Sequence, residues 1–303
     1  MPEIALLGPG GVGGFVAAAL TRSGNGVTVV ARHQTAARVR AAGLTVTSRV
    51  LGEFHVHPRA GDELVGAVDA LVVTTKATGL IPALERIRTD PPLVVPLLNG
   101  LDHLTVLRRR FGTEQVAAGV IRIESDRAPS GVIVQTSPAC RVDLATAHTS
   151  LAPALDALAA ALRAAGLDVR IGDSEDQVMW SKLARLCALA LTTSASDRPI
   201  GFVRSDPRWR SALEGAIRET VAVANADGAR LDAADTLDEL RRAHPDLGSS
   251  MRRDIAAGRE PELDAIAGAV LRAAGRHRLG CPTVRWLAGR VAARAGLDVT
   301  DVN

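Results

Sequence analysis

The sequence predicts an α/β fold in two parts, a doubly wound sheet over residues 1–173 followed by an all-α domain over residues 174–303. Three observations predict it. A glycine-rich loop stands directly behind the first apolar run, several short β-branched runs follow it, and the spacing of apolar residues turns helical after Gly172-Asp173.

Residues 4–7 form the first apolar run, Gly8-Pro9-Gly10-Gly11-Val12-Gly13 comes next, and Phe15-Val16-Ala17-Ala18-Ala19-Leu20 opens a helix. Residues 27–31, 70–75 and 93–97 are further runs of strand length. They are continuous rather than alternating, as strands of a parallel sheet buried on both faces require. Alternation in Leu44-Thr45-Val46-Thr47 and Phe54-His55-Val56 predicts a hairpin or edge excursion, and residues 131–136 another strand. A helix over 151–165 and a strand over 167–171 complete this part.

Beyond Asp173, Ser174-x-x-Gln177 is a capping-box signature, and Trp180, Leu183, Cys187 and Leu191 keep helical spacing behind it. Asp206 before Pro207 marks another start, with Leu213, Ile217 and Val221 on one stripe that ends near Asp227-Gly228. Further helices begin at Leu237, at Ser249 and at Pro261, the last long and Ala-rich.

A length of 303 residues suits two domains with two cores. The net charge is only +3, the basic residues are scattered, and seven aromatics without a Tyr offer few stacking platforms, so no nucleic-acid partner is expected. Cys140, Cys187 and Cys281 form no Cys-x-x-Cys pair, which fits a reduced, cytoplasmic enzyme. Met1-Pro2-Glu3 leads so directly into the loop that no secretory leader is expected, and no run approaches the roughly 18 apolar residues of a membrane helix. The expected partners are a small-molecule carbonyl substrate and, in assembly, a possible homodimer.

Nearly every basic residue is Arg; Lys76 and Lys182 are the only lysines. A Lys ammonium can surrender a proton where an Arg guanidinium cannot, so surviving lysines in such a chain point to chemistry.

The position of the glycine loop between strand and helix gives each glycine a task. Gly8 can make the tight turn, Gly10 can admit a pyrophosphate to the backbone, and Gly13 can let the helix pack on the sheet, as in a Rossmann-type dinucleotide site. The second strand ends in Ala31-Arg32-His33, a cation in place of the carboxylate that would hold a ribose 2′-hydroxyl, so NADP(H) is the expected cofactor. Thr75-Lys76-Ala77 and Asn99-Gly100 follow two further strands, at the sheet edge where ligands bind.

Taken together, the glycine loop, Arg32, Thr75-Lys76-Ala77, Asn99-Gly100, Trp180-Ser181-Lys182-Leu183, Ser249-Ser250-Met251-x-x-Asp254 and Gly258-Arg259-x-x-Glu262-Leu263-Asp264 resemble the ketopantoate reductase (2-dehydropantoate 2-reductase) family over almost the whole chain. The resemblance implies an NADPH-dependent oxidoreductase with its active site in the cleft between a Rossmann domain and a helical domain. By position it makes Lys182 the general acid and places Asn99 at the nicotinamide end and the substrate. It gives Ser250 the substrate carboxylate and Glu262 the cofactor ribose, puts Lys76 with Arg32 at the 2′-phosphate, and aligns Ser125 with a cofactor contact.

The chain departs from the family on the substrate side. Positions that carry Asn in the family are Leu186 and Ala190 on the lysine's own helix, and Ile200 and Leu247 beyond it. The expected substrate is therefore a 2-oxo acid or related carbonyl more apolar than ketopantoate, with Leu186 and Ala190 in its wall. Genuine 2-dehydropantoate reduction in pantothenate biosynthesis is the alternative if Arg185, Thr192, Thr193 or Ser194 supplies polar contacts. A non-catalytic NADP(H)-sensing protein is the other. His55-x-His57 puts two imidazoles on one strand face, but with no third ligand in view they read as solvated edge residues, and no metal site is expected. Asp173-Ser174-Glu175-Asp176 reads as linker and helix cap.

Overall fold

The computed structural model describes residues 1–297. They form two compact units, one of Met1–Leu98 with His103–Val178, the other of Asn99–Asp102 with the residues from Met179 onward.

The first unit runs β1 (Glu3–Leu7), α1 (Gly11–Arg22), β2 (Gly26–Val30), α2 (His33–Ala42), β3 (Leu44–Ser48), β4 (Gly52–Val56), β5 (Arg59–Gly61), β6 (Ala70–Val73), α3 (Leu80–Leu84), β7 (Val94–Pro96), α4 (His103–Phe111), β8 (Ala118–Arg122), β9 (Ser125–Arg127), β10 (Ile133–Gln135), β11 (Arg141–Ala145), α5 (Ala152–Ala164) and β12 (Asp168–Ile171). Five strands make a parallel sheet in the order β5-β2-β1-β6-β7, with β1 central and aligned Leu7 to Val30 on one side and Leu7 to Val73 on the other. Its two faces are buried in separate apolar clusters, Ile4 and Leu6 in one and Ala5 and Leu7 in the other. That two-sided burial is why the strands read as unbroken apolar runs.

The predicted hairpin is present as the antiparallel pair β3–β4, with Thr45 opposite His55. It is not an excursion of the main sheet. It belongs to a second sheet, β4-β3-β10-β9, while β12-β11-β8 form a third.

The second unit holds α6 (Glu175–Ser196), in which the division between units falls after Val178, then α7 (Ile200–Ser205), α8 (Pro207–Ala226), α9 (Ala233–Arg242), α10 (Ser250–Ala256), α11 (Ala269–Arg276) and α12 (Pro282–Ala295). Ser174 accepts the backbone N–H of Gln177 at 3.1 Å, and Asp206 accepts those of Arg208 and Trp209. Both predicted caps therefore form. Trp180, fully buried in the core of this unit, donates its indole N–H to Asp227 at 3.0 Å, so that α6 is tied to the end of α8. The single long helix predicted from Pro261 is instead a π-helical turn at Asp264–Gly268 that runs into α11, and a separate α12. Arg278 with φ +56° and Pro282 at the start of α12 break the run between them.

Candidate active site

Gly8 turns with φ +93°, and a Cβ there would press on Thr75. At Gly13 a Cβ would overlap the carbonyl oxygen of Gly8 and the hydroxyl of Thr74, which itself donates to Leu7 O and Gly8 O. At Gly11 it would overlap the backbone of Ser125. Gly10 differs: nothing lies within 4 Å of the place its Cβ would take. No side chain caps the N-terminus of α1 and no acidic residue stands in its first turn. Bare helix N–H groups beside an open glycine fit a pyrophosphate, and the loop passes that test.

Ser125 reaches the loop, where its hydroxyl donates to Gly11 O at 2.9 Å. Beside it lies a residue that the sequence reading missed. Arg127 is half-buried, one of its terminal nitrogens lies 3.4 Å from Pro9 O, and its Nε has no hydrogen-bond partner. Burial and the neighbouring Arg38 both lower its pKa. A partly desolvated guanidinium with an unspent donor next to the loop suits an anion. Nothing in the isolated triplet Ser125-Asp126-Arg127 signals this, because only the pairing of β9 with β10 fixes its place.

Arg32 follows β2 and Lys76 follows β6, both exposed, and β1 with its glycine loop lies between them. Two strand spacings, about 10 Å, separate their backbones, within the combined reach of two long side chains.

The remaining candidates belong to the second unit. Asn99 donates through Nδ2 to Glu262 at 2.9 Å, so two residues 163 positions apart hold each other. Gly100, at φ +86°, lies so close to Ala265 O that a Cβ would overlap it, which presses this turn onto the π-helical segment. At the start of α10 it is Ser249 that caps, accepting from the Arg252 N–H at 3.1 Å. Ser250 is left exposed.

Lys182, Leu186, Ala190 and Thr193 follow one stripe of α6. Lys182 and Leu186 are half-buried, whereas Ala190 is fully buried in the core. Of the two expected wall residues, Leu186 alone stands at the margin of the core. Ile200 is buried as well, and Leu247 packs half-buried against the same core. The stripe ends where the Thr193 hydroxyl, donating to Leu189 O at 2.7 Å, lies 3.0 Å from that of Ser249. Thr192 donates to Ala188 O at 2.6 Å, Ser194 lies 3.4 Å from Ser249 Oγ, and Arg185 pairs with Glu239 at 2.7 Å.

Among the described residues no group of three or more His, Cys, Asp or Glu side chains is placed to hold a metal ion, and no helix is long and apolar enough to cross a membrane.

Comparison with known proteins follows the same division of the chain. Residues 4–147 match the family Ketopantoate reductase PanE/ApbA, and residues 176–295 match Ketopantoate reductase PanE/ApbA C terminal. A 2-dehydropantoate 2-reductase of Mycobacterium tuberculosis is 31% identical over 92% of this chain and 93% of its own. An uncharacterized oxidoreductase of Bacillus subtilis, YkpB, is 27% identical over 92% of this chain and 94% of its own. The crystal structure of 2-dehydropantoate 2-reductase from Geobacter metallireducens superposes with a TM-score of 0.86 at 26% identity, covering 96% of this chain and 99% of that one. D-Mandelate dehydrogenase shares the fold, with a TM-score of 0.88 at 20% identity over 97% and 98% of the two chains. With both halves matched, the chain belongs to the ketopantoate reductase family, oxidoreductases that act on the CH–OH/C=O couple with a nicotinamide cofactor.

Proposed function

We propose that this chain is an NADPH-dependent reductase of a 2-oxo acid, or a related carbonyl, more apolar than ketopantoate, with Lys182 as its general acid. One observation carries the substrate side. The hydroxyls on α6 that could replace the family's asparagines, those of Thr192, Thr193 and Ser194, are buried and engaged inside the protein, and the half-buried Arg185 is taken up by its pair with Glu239. Leu186, one turn beyond Lys182, offers hydrocarbon instead. D-Mandelate dehydrogenase, on the same fold, is known in complex with NADH and anilino(oxo)acetate, an aryl-bearing oxo acid.

The bound cofactor supplies the hydride. As negative charge develops on the carbonyl oxygen, the Lys182 ammonium stabilises it and passes a proton to it, each effect contributing on the order of a hundredfold or more. Ser250, freed from capping by Ser249, donates its hydroxyl to the substrate carboxylate. Asn99 and Glu262 fix each other's orientation, which suits an amide at the nicotinamide end and a carboxylate that accepts from a ribose hydroxyl. The loop from Gly8 to Gly13 and the first N–H groups of α1 hold the pyrophosphate, with Arg127 as a further cation beside Pro9. Arg32 and Lys76 together neutralise the 2′-phosphate.

The substrate is tested by following NADPH oxidation with ketopantoate against a panel of aliphatic and aromatic 2-oxo acids. A member of the panel is expected to exceed ketopantoate by about tenfold or more in kcat/KM, because recognition of a hydroxyl needs the partners this wall lacks. Preference for ketopantoate would sink the apolar-substrate reading. For the cofactor, Arg32→Glu is expected to weaken NADPH binding by about ten- to a hundredfold, the worth of one charge-assisted contact, and to leave NADH binding equal or improved. Equal losses for the two cofactors would show that Arg32 does not read the 2′-phosphate.

A further inference from the structure

We propose that His55, on the outer strand of the second sheet, and His57, just past that strand's end, form a two-imidazole chelate for a divalent transition ion of right-angle preference, Ni²⁺ or Cu²⁺. The pair lies in the first unit and takes no part in the reduction chemistry. Counting ligands along the sequence gave no reason to expect a metal here. The geometry of the two rings does.

His55 lies on β4 and His57 is the first residue past its end, and both side chains are exposed at this edge of the sheet. Their Nε2 atoms are 3.0 Å apart, their ring centroids 4.7 Å apart, and the ring planes are inclined by 75°. An in-line N–H···N hydrogen bond of that length would hold the centroids about 5.3 Å apart, since each centre lies about 1.15 Å behind its nitrogen. Two imidazoles converging on a common point about 2.05 Å from each Nε2 would hold them about 4.7 Å apart, with an angle of about 94° at the point. The observed separation is shorter than the in-line value and equals the one that converging nitrogens require. An angle near 90° is the cis angle of tetragonal or octahedral coordination, whereas tetrahedral zinc at the same bond length needs nitrogens about 3.3 Å apart.

The ring of His55 is held for this task on two sides. Its Nδ1 lies 2.9 Å from the hydroxyl of Thr45, the residue directly opposite on β3. With the proton on Nδ1 and donated to Thr45, the lone pair is left on Nε2, which is the arrangement that orients metal-ligating histidines in general. Gly43, with φ +62°, gives the ring its seat, since a Cβ there would lie 2.8 Å from His55 Nε2. Water completes the coordination at this exposed edge.

Calorimetric titration of the untagged, full-length protein with nickel chloride in a non-coordinating buffer tests the assignment. One saturable site is expected, bound about tenfold more weakly when zinc chloride is used. His55→Ala and His57→Ala should each abolish it, and Thr45→Val should weaken it by about tenfold through loss of the orienting partner. Absence of saturable binding, or binding that survives both histidine substitutions, would overturn the site. Thr45→Val binding nickel as the parent does would overturn the role given to Thr45.

Discussion

Replacing Lys182 by Ala is expected to lower kcat for the preferred carbonyl by about a thousandfold or more, with NADPH binding within about twofold of the parent. Proton transfer by a positioned acid contributes about 10²–10⁴, and a donor aimed at a developing oxyanion a further 10²–10³. Lys182→Arg separates the two. It keeps a cation that can stabilise the oxygen, but its guanidinium has no proton to give in the working pH range, so only a small part of the rate should return. The substitution is tolerable to the fold, because Lys182 is half-buried at the edge of the helical core rather than within it. Single-turnover hydride transfer and fluorescence titration of NADPH measure the two properties independently. A fall in NADPH affinity that matches the fall in rate would move Lys182 from acid to cofactor ligand. No turnover of any carbonyl by the native protein would favour an NADP(H)-sensing role instead.

The parts of this molecule that could be read from sequence are those whose reasons are local. The loop from Gly8 to Gly13 needs a strand before it and a helix after it, and all three lie within the first 22 residues. The caps at Ser174 and Asp206 each act on an N–H two or three residues away. What escaped is set by distant partners. The run over 131–136 shows β10, but its partner β9, three residues long, is too short for periodicity to register, and it matters because it carries Ser125 and Arg127 to the loop. Asn99 is oriented by Glu262, a bond no spacing rule connects. Ala190 was placed in the substrate wall from its position on α6, yet tertiary packing puts its methyl in the core and leaves Leu186 at the margin. The same packing turned three polar residues, Thr192, Thr193 and Ser194, from candidate substrate contacts into internal ones, and Arg185 spends its charge on Glu239.

Two glycines of the loop should fail in opposite ways when each is given a side chain. Gly10→Val is expected to fold with a stability loss of no more than about 1 kcal/mol, the cost of a poor residue at a helix N-cap, because its φ of −72° suits any residue and no atom stands within 4 Å of the new Cβ. That open space is where a pyrophosphate would approach. A branched side chain there removes charge-assisted N–H contacts, and NADPH affinity should fall about a hundredfold. Gly13→Ala meets the opposite circumstances. Its methyl would overlap Gly8 O and Thr74 Oγ1, and Thr74 is already fixed by its bonds to Leu7 O and Gly8 O. Neither neighbour is the free end of a flexible chain, so α1 must lift from the sheet, at a cost of about 1–3 kcal/mol. Chemical denaturation should therefore show the loss for Gly13→Ala and almost none for Gly10→Val, while NADPH titration shows the larger loss for Gly10→Val. If Gly10→Val bound NADPH as the parent does, the pyrophosphate could not lie against this loop, and the cofactor site would have to be sought elsewhere on the sheet edge.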